Sequence, residues 1–142
     1  VGGGIFCVGS AAPEFKNCSI TENKSMFGGG GIFCFGFSHP IFDKCDIFEN
    51  NSKFGGGVNC TRDSKPVFKE CSLKYNFSLD FGGAVYVEMK AVPEFLGCVI
   101  EKNSSQTRGG GIFVSEKSSI PKITDETKVE NNKPDNIFIQ DK

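Results

Sequence analysis

Three regularities in the 142-residue sequence predict an all-β fold, a right-handed parallel β-helix of about five rungs of 26–28 residues plus one extra strand. The first is a glycine-rich triplet that recurs at Gly2-Gly3-Gly4, Gly29-Gly30-Gly31, Gly55-Gly56-Gly57, Gly82-Gly83-Ala84 and Gly109-Gly110-Gly111. A β-branched residue follows each triplet: Ile5, Ile32, Val58, Val85 and Ile112, with a degenerate sixth copy at Ile137. Self-similarity at a fixed period of this size marks a stacked-repeat architecture.

The second regularity is that other columns keep step with the first. Pro13, Pro40, Pro66, Pro93 and Pro121 are each followed two residues later by Phe15, Phe42, Phe68, Phe95 and Ile123. Then come Cys18, Cys45, Cys71 and Cys98, and after them Ile20, Ile47, Leu73, Ile100 and Val129. Asn23, Asn50, Asn76 and Asn103 follow, with Asn131 or Asn132 after a slip, and Phe27, Phe54 and Phe81 close the repeat. The rungs run approximately 1–26, 27–53, 54–79, 80–107 and 108–133, with a partial one at 134–142, in one domain spanning 1–142.

The third regularity is composition. Each copy combines a Gly cluster, a Pro and β-branched or aromatic residues, with almost no Ala or Leu, which opposes helix and favours short strands between tight turns. Within a strand alternate residues share a face, so Ile5 and Cys7 point one way and Phe6 the other. Three strands per copy make one rung, stacked at the ordinary strand spacing of about 4.8 Å. One rung cannot bury its apolar face alone, but stacked neighbours can.

The pairing of GG-[GA]-[IV] with [IL]-x-x-N carries a resemblance. Gly30-Gly31-Ile32 with Ile47-Phe48-Glu49-Asn50, and Gly83-Ala84-Val85 with Leu73-Lys74-Tyr75-Asn76, are the matching pieces. The chain resembles the repeats of right-handed β-helix surface proteins, including the polymorphic outer-membrane proteins of chlamydiae. That resemblance implies an extracellular, surface-associated molecule.

The seven cysteines fall in two columns, Cys7, Cys34, Cys60 and Cys18, Cys45, Cys71, Cys98. Buried free thiols acting as small apolar side chains are one reading. Disulfides are the favoured one, within a rung as Cys7–Cys18, Cys34–Cys45 and Cys60–Cys71 or along a column, which suits an oxidising compartment. Zinc is not expected, because there is no C-x-x-C and His39 is the single histidine.

N-x-[ST] occurs at Asn17, Asn23, Asn50, Asn59, Asn76 and Asn103. For the column of Asn23, Asn50, Asn76 and Asn103 two readings stand side by side. One is an inward ladder satisfying backbone groups; the other is glycosylation, favoured by the Ser that follows two residues later in all four. Asn17 and Asn59 face outward and are the better glycan sites. The outward column of Phe6, Phe33, Tyr86, Phe113 and Phe138 is expected to form an exposed apolar stripe suited to lateral packing of subunits.

The remaining features bound the function. Sixteen basic and 17 acidic residues give no basic surface for nucleic acid. No apolar run is long enough to span a bilayer. The acidic residues are scattered, Asp43 and Asp46 being the nearest to a pair, so no catalytic site, metal or other cofactor is expected. The chain opens inside a repeat at Val1 and stops just after the strand Ile137-Phe138-Ile139, so a processed chain or a piece of a longer one is expected. Open rungs at both ends would pair with copies of the chain, giving a head-to-tail fibre. The function expected is therefore a non-enzymatic, secreted or cell-surface structural or adhesive glycoprotein. The alternative is a carbohydrate-binding or polysaccharide-active β-helix module, since several lyases and hydrolases use this fold.

Overall fold

The computed structural model describes residues 2–141, so Val1 of the first rung and Lys142 of the last lie outside the described residues. The first rung contains β1 (Ile5–Cys7), β2 (Glu14–Lys16) and β3 (Ser19–Thr21). The second contains β4 (Ile32–Cys34), β5 (Ile41–Asp43), β6 (Asp46–Phe48) and β7 (Asn51–Phe54). The third contains β8 (Val58–Cys60), β9 (Val67–Lys69), β10 (Ser72–Lys74) and β11 (Phe77–Phe81). The fourth contains β12 (Val85–Val87), β13 (Glu94–Leu96), β14 (Val99–Glu101) and β15 (Ser104–Ser105). The fifth contains β16 (Ile112–Val114), β17 (Lys122–Ile123) and β18 (Lys128–Glu130), and β19 (Ile137–Ile139) is the extra strand.

Strands of one rung pair only with the equivalent strands above and below, always parallel, giving a β1-β4-β8-β12-β16-β19 sheet, two five-stranded sheets and a three-stranded one. The register follows the sequence columns: Ile5 faces Ile32, then Val58, Val85, Ile112 and Ile137. The three-stranded sheet β7-β11-β15 is a fourth face where three were expected. It forms from the segment between the Asn column and the glycines.

The corners explain how three-residue strands bend into a rung. At one corner the residue is Asn17, Lys44, Glu70 or Gly97, at φ 53°, 53°, 48° and 63°. At the next it is Glu22, Glu49, Tyr75, Lys102 or Asn131, at φ 54–58°. A left-handed residue turns the chain sharply, at about 1–2 kcal/mol for each non-glycine. The conformation persists because the corner amides still bond the next rung, as when Lys44 N–H donates to Lys69 O at 2.8 Å and Glu70 N–H to Leu96 O at 2.8 Å. The glycine corner has a different cause. A Cβ on Gly56 would land on the carbonyl oxygens of Phe77 and Gly83, so the rungs meet there backbone to backbone.

The interior holds the predicted columns. Phe42, Phe68 and Phe95 are fully buried. Their rings stack with Phe15 at centroid distances of 4.9, 5.0 and 5.1 Å and interplanar angles of 10° or less. Offset stacks of this kind add about 0.5–1.5 kcal/mol per pair beyond the area they bury. Among the described residues no helix is long and apolar enough to cross a membrane.

Candidate functional site

The Asn column is an interior ladder. Asn50, Asn76 and Asn103 are at most 1% exposed. The Asn76 carboxamide Nδ2 donates to Ile47 O at 2.9 Å and to Asn103 Oδ1 at 3.0 Å. Its Oδ1 accepts from Asn50 N at 3.1 Å and Asn50 Nδ2 at 3.0 Å. Each amide thus meets its full complement of partners, as a buried polar group must. Asn23 begins the ladder half-buried, donating from Nδ2 to Asn50 Oδ1 at 3.1 Å. Asn132, rather than Asn131, continues it, and Asn136 Oδ1 receives Asn132 N and Nδ2 at 3.0 and 3.2 Å.

This geometry corrects the glycosylation reading at Asn23, Asn50, Asn76 and Asn103. Their nitrogens are spent inside the fold, and a glycan on the three buried ones has no route out. The Ser two residues on has a structural reason too. Ser52 and Ser78 are buried beside the ladder. Ser52 Oγ donates to Gly28 O. Ser105 Oγ donates to Arg108 O at 2.8 Å, and Ser25 Oγ accepts from Gly28 N at 3.1 Å. At Ser25, Ser52 and Ser105 the Asn-x-Ser hydroxyl thus bonds the backbone at the glycine corner, while the buried Ser78 hydroxyl makes no such bond. Asn59 is corrected as well: it is 3% exposed, with Nδ2 against Phe54 O at 3.5 Å. Asn17 alone of the six is exposed.

The cysteines differ from the favoured expectation: Cys7, Cys18, Cys34, Cys45, Cys60 and Cys71 are free thiols, as is Cys98. The thiol contacts run along each column, Cys7 to Cys34 to Cys60 and Cys71 to Cys98, not across a rung. In-register partners are one rung apart, about 4.8 Å. At that spacing the free thiols stack like small apolar side chains. The thiols also donate to backbone, with Cys71 Sγ 3.2 Å from Phe42 O and Cys98 Sγ 3.2 Å from Phe68 O. Contact with the neighbouring thiol, then burial, pushes Cys7 and Cys71 up, and burial alone leads for Cys45. Thiols held protonated in this way are poor nucleophiles.

The outward aromatic column is also not the open stripe expected. Phe6 is 45% exposed, Phe33, Tyr86 and Phe138 are half-buried, and Phe113 is buried. A second layer covers it. Phe54 lies 5.4 Å from the Tyr86 ring, Phe81 4.5 Å from Phe113, and the Arg108 guanidinium 5.1 Å from Phe138. The covering residues come from the segment that also forms the fourth sheet, which is why a three-strand rung left the column bare. Burial, then the Glu88 carboxylate, raises the Tyr86 phenol, which donates to Glu88 Oε2 at 3.1 Å.

A concavity of about 660 Å³ lies on the turns that join the first sheet to the second. It crosses Phe35, Gly36 and Phe37 of one rung, Arg62 and Asp63 of the next, then Met89 and Lys90, then Glu116. Glu116 Oε1 accepts from Ser118 Oγ at 2.8 Å, Lys90 N at 2.9 Å and Ser119 Oγ at 3.2 Å. The Ser118 hydroxyl and then the Lys90 amide hold it below the usual carboxylate range. Arg62 lies over the Phe35 ring at 5.1 Å. The sequence reading passed over these residues. The available signal was that Gly9 and Gly36 give way in this column to Arg62 and Met89. Asp43 has Lys16 and Lys69 as its in-register neighbours, so it is a solvated member of a charge ladder.

Strands that pair only between rungs, with every interior column in register, define a parallel β-solenoid. The family model described as right-handed β-helix region matches residues 2–134, and the chain belongs to that family. Comparison with curated proteins and with solved structures gave no match.

Proposed function

We propose that this chain is a non-enzymatic structural and adhesive module, a length of extracellular β-helix rod that extends by rung-on-rung stacking. It serves as a subunit of a head-to-tail fibre or as a segment of a surface stalk. The observation that carries this reading is that the interior columns run in register from rung to rung, each strand pairing only with its equivalents, so that the fold lengthens by adding rungs of the same kind. β1 and β19 are the outermost strands of their sheet. The inward residues Ile137 and Ile139 of β19 remain 41% and 43% exposed. Lateral packing is a smaller part of the proposal, since Phe54, Phe81 and Arg108 cover much of the outward column.

The likeness of the GG-[GA]-[IV] and [IL]-x-x-N repeats to chlamydial surface proteins supports the extracellular placement, and the exposed Asn17 is the site offered for an N-glycan. The free thiols withdraw the support that disulfides would have lent. Negative-stain microscopy across a concentration series tests the proposal. Filaments that lengthen with concentration are expected, and Ile139→Lys, at an already exposed position, is expected to keep the fold and shorten them. Rods that stay monomeric at every concentration would overturn end-to-end assembly.

A further inference from the structure

We infer that the groove over Phe37, Arg62, Asp63, Met89 and Lys90 is a docking site for an extended peptide of a partner protein that presents a carboxylate beside a large apolar side chain. Backbone strain first points here. Arg62 and Asp63 have φ of 51° and 61°, and Met89 and Lys90 of 49° and 62°. Among the described residues these are the two turns with consecutive non-glycine residues at positive φ. The equivalent turns of the first two rungs use Gly9 and Gly36 instead. Glycine or asparagine serves such a turn at lower cost. Strain that the fold does not require, gathered at one concavity, is a mark of a site.

The chemistry of the side chains then selects the occupant. Neither Arg62 nor Lys90 has an ion-pair partner among the described residues, and of the Glu116 carboxylate, which Lys90 faces, Oε1 is taken up by three protein donors. The Arg62 guanidinium, its carbon 5.1 Å from the centre of the Phe35 ring, presents a fork matched to a carboxylate. Asp63, likewise without an ion pair, accepts an N–H from the docked main chain. Phe37 is 63% exposed and Met89 48%, an apolar floor with no hydrogen-bonding capacity beyond a weak thioether acceptor. Phe and Met surfaces take up apolar side chains of varied shape. A peptide supplies the carboxylate, the N–H and the apolar group together.

The site does not depend on whether rods assemble, and its test reads no filament. Nitrogen-15-labelled protein is titrated with the capped pentapeptide Gly-Phe-Asp-Leu-Gly and with its amide counterpart Gly-Phe-Asn-Leu-Gly. Shift changes confined to the turns at 35–37, 62–63, 89–90 and 116 are expected with the acidic peptide. At least tenfold weaker binding is expected for the amide peptide, for Phe37→Ala and for Arg62→Gln. The turn variant R62N/D63G is the control for folding: it is expected to raise Tm by about 2–4 °C and to abolish binding. No shifts at millimolar peptide, equal binding of the two peptides, or binding of alginate in place of peptide would each overturn the assignment.

Discussion

Gly56→Ala is expected to lower the free energy of unfolding by about 3 kcal/mol or more, a large share of the roughly 5–15 kcal/mol that holds a domain folded. The reason is the neighbour a Cβ would strike. Both the Phe77 and the Gly83 carbonyl oxygens lie in its path, and both are backbone. The Gly56 amide is itself tied to Gly82 O at 3.0 Å, so the corner cannot step aside without breaking rung pairing. Gly97→Ala is the comparison. Its φ of 63° strains an alanine, yet its Cβ would meet only Glu70 Cγ at 3.8 Å. About 1 kcal/mol is expected there, from the backbone alone. Urea titration of the two variants distinguishes close packing from conformational strain; equal losses would contradict it.

Asn76→Leu is expected to cost about 2–6 kcal/mol, although leucine has similar bulk and greater hydrophobicity. It leaves the Asn50 backbone N–H and one Asn50 amide hydrogen facing a methyl group, each orphan costing about 1–3 kcal/mol. Asn76→Asp sharpens the test, because it keeps the acceptor while removing the donor to Ile47 O and Asn103 Oδ1. A carboxyl buried against those oxygens has its folded-state pKa raised. The protonated form is the one the fold tolerates. Stability therefore stays nearest the parent's below the unfolded value of about 3.9 and falls as pH rises from there to the raised folded-state value. Denaturant midpoints at low and neutral pH measure this, and a variant with no added pH dependence would contradict the ladder.

The rungs were legible in the sequence because in-register stacking forces equivalent residues into the same chemistry. The columns of Ile32, Phe42, Cys45, Ile47 and Asn50 all fall inside as their period implies. What stayed hidden has physical causes. Asn-x-Ser reads the same whether Asn is glycosylated or laddered, since both uses want a small hydroxyl two residues on. Asn59 does lie on the outward face of β8, but the chain at Phe54, five residues before it, folds back over that face, a contact that strand alternation does not encode. The left-handed corners at Lys44, Glu49 and Glu70 carry no glycine to announce them.

The most direct measurement is the intact mass of the folded chain after secretion from a eukaryotic cell, before and after enzymatic removal of N-glycans. At most one glycan is expected, at Asn17, because the amides of Asn50, Asn76 and Asn103 are the rungs of an interior ladder. A folded, soluble chain bearing glycans at any of those three would contradict that arrangement and the in-register stack built on it.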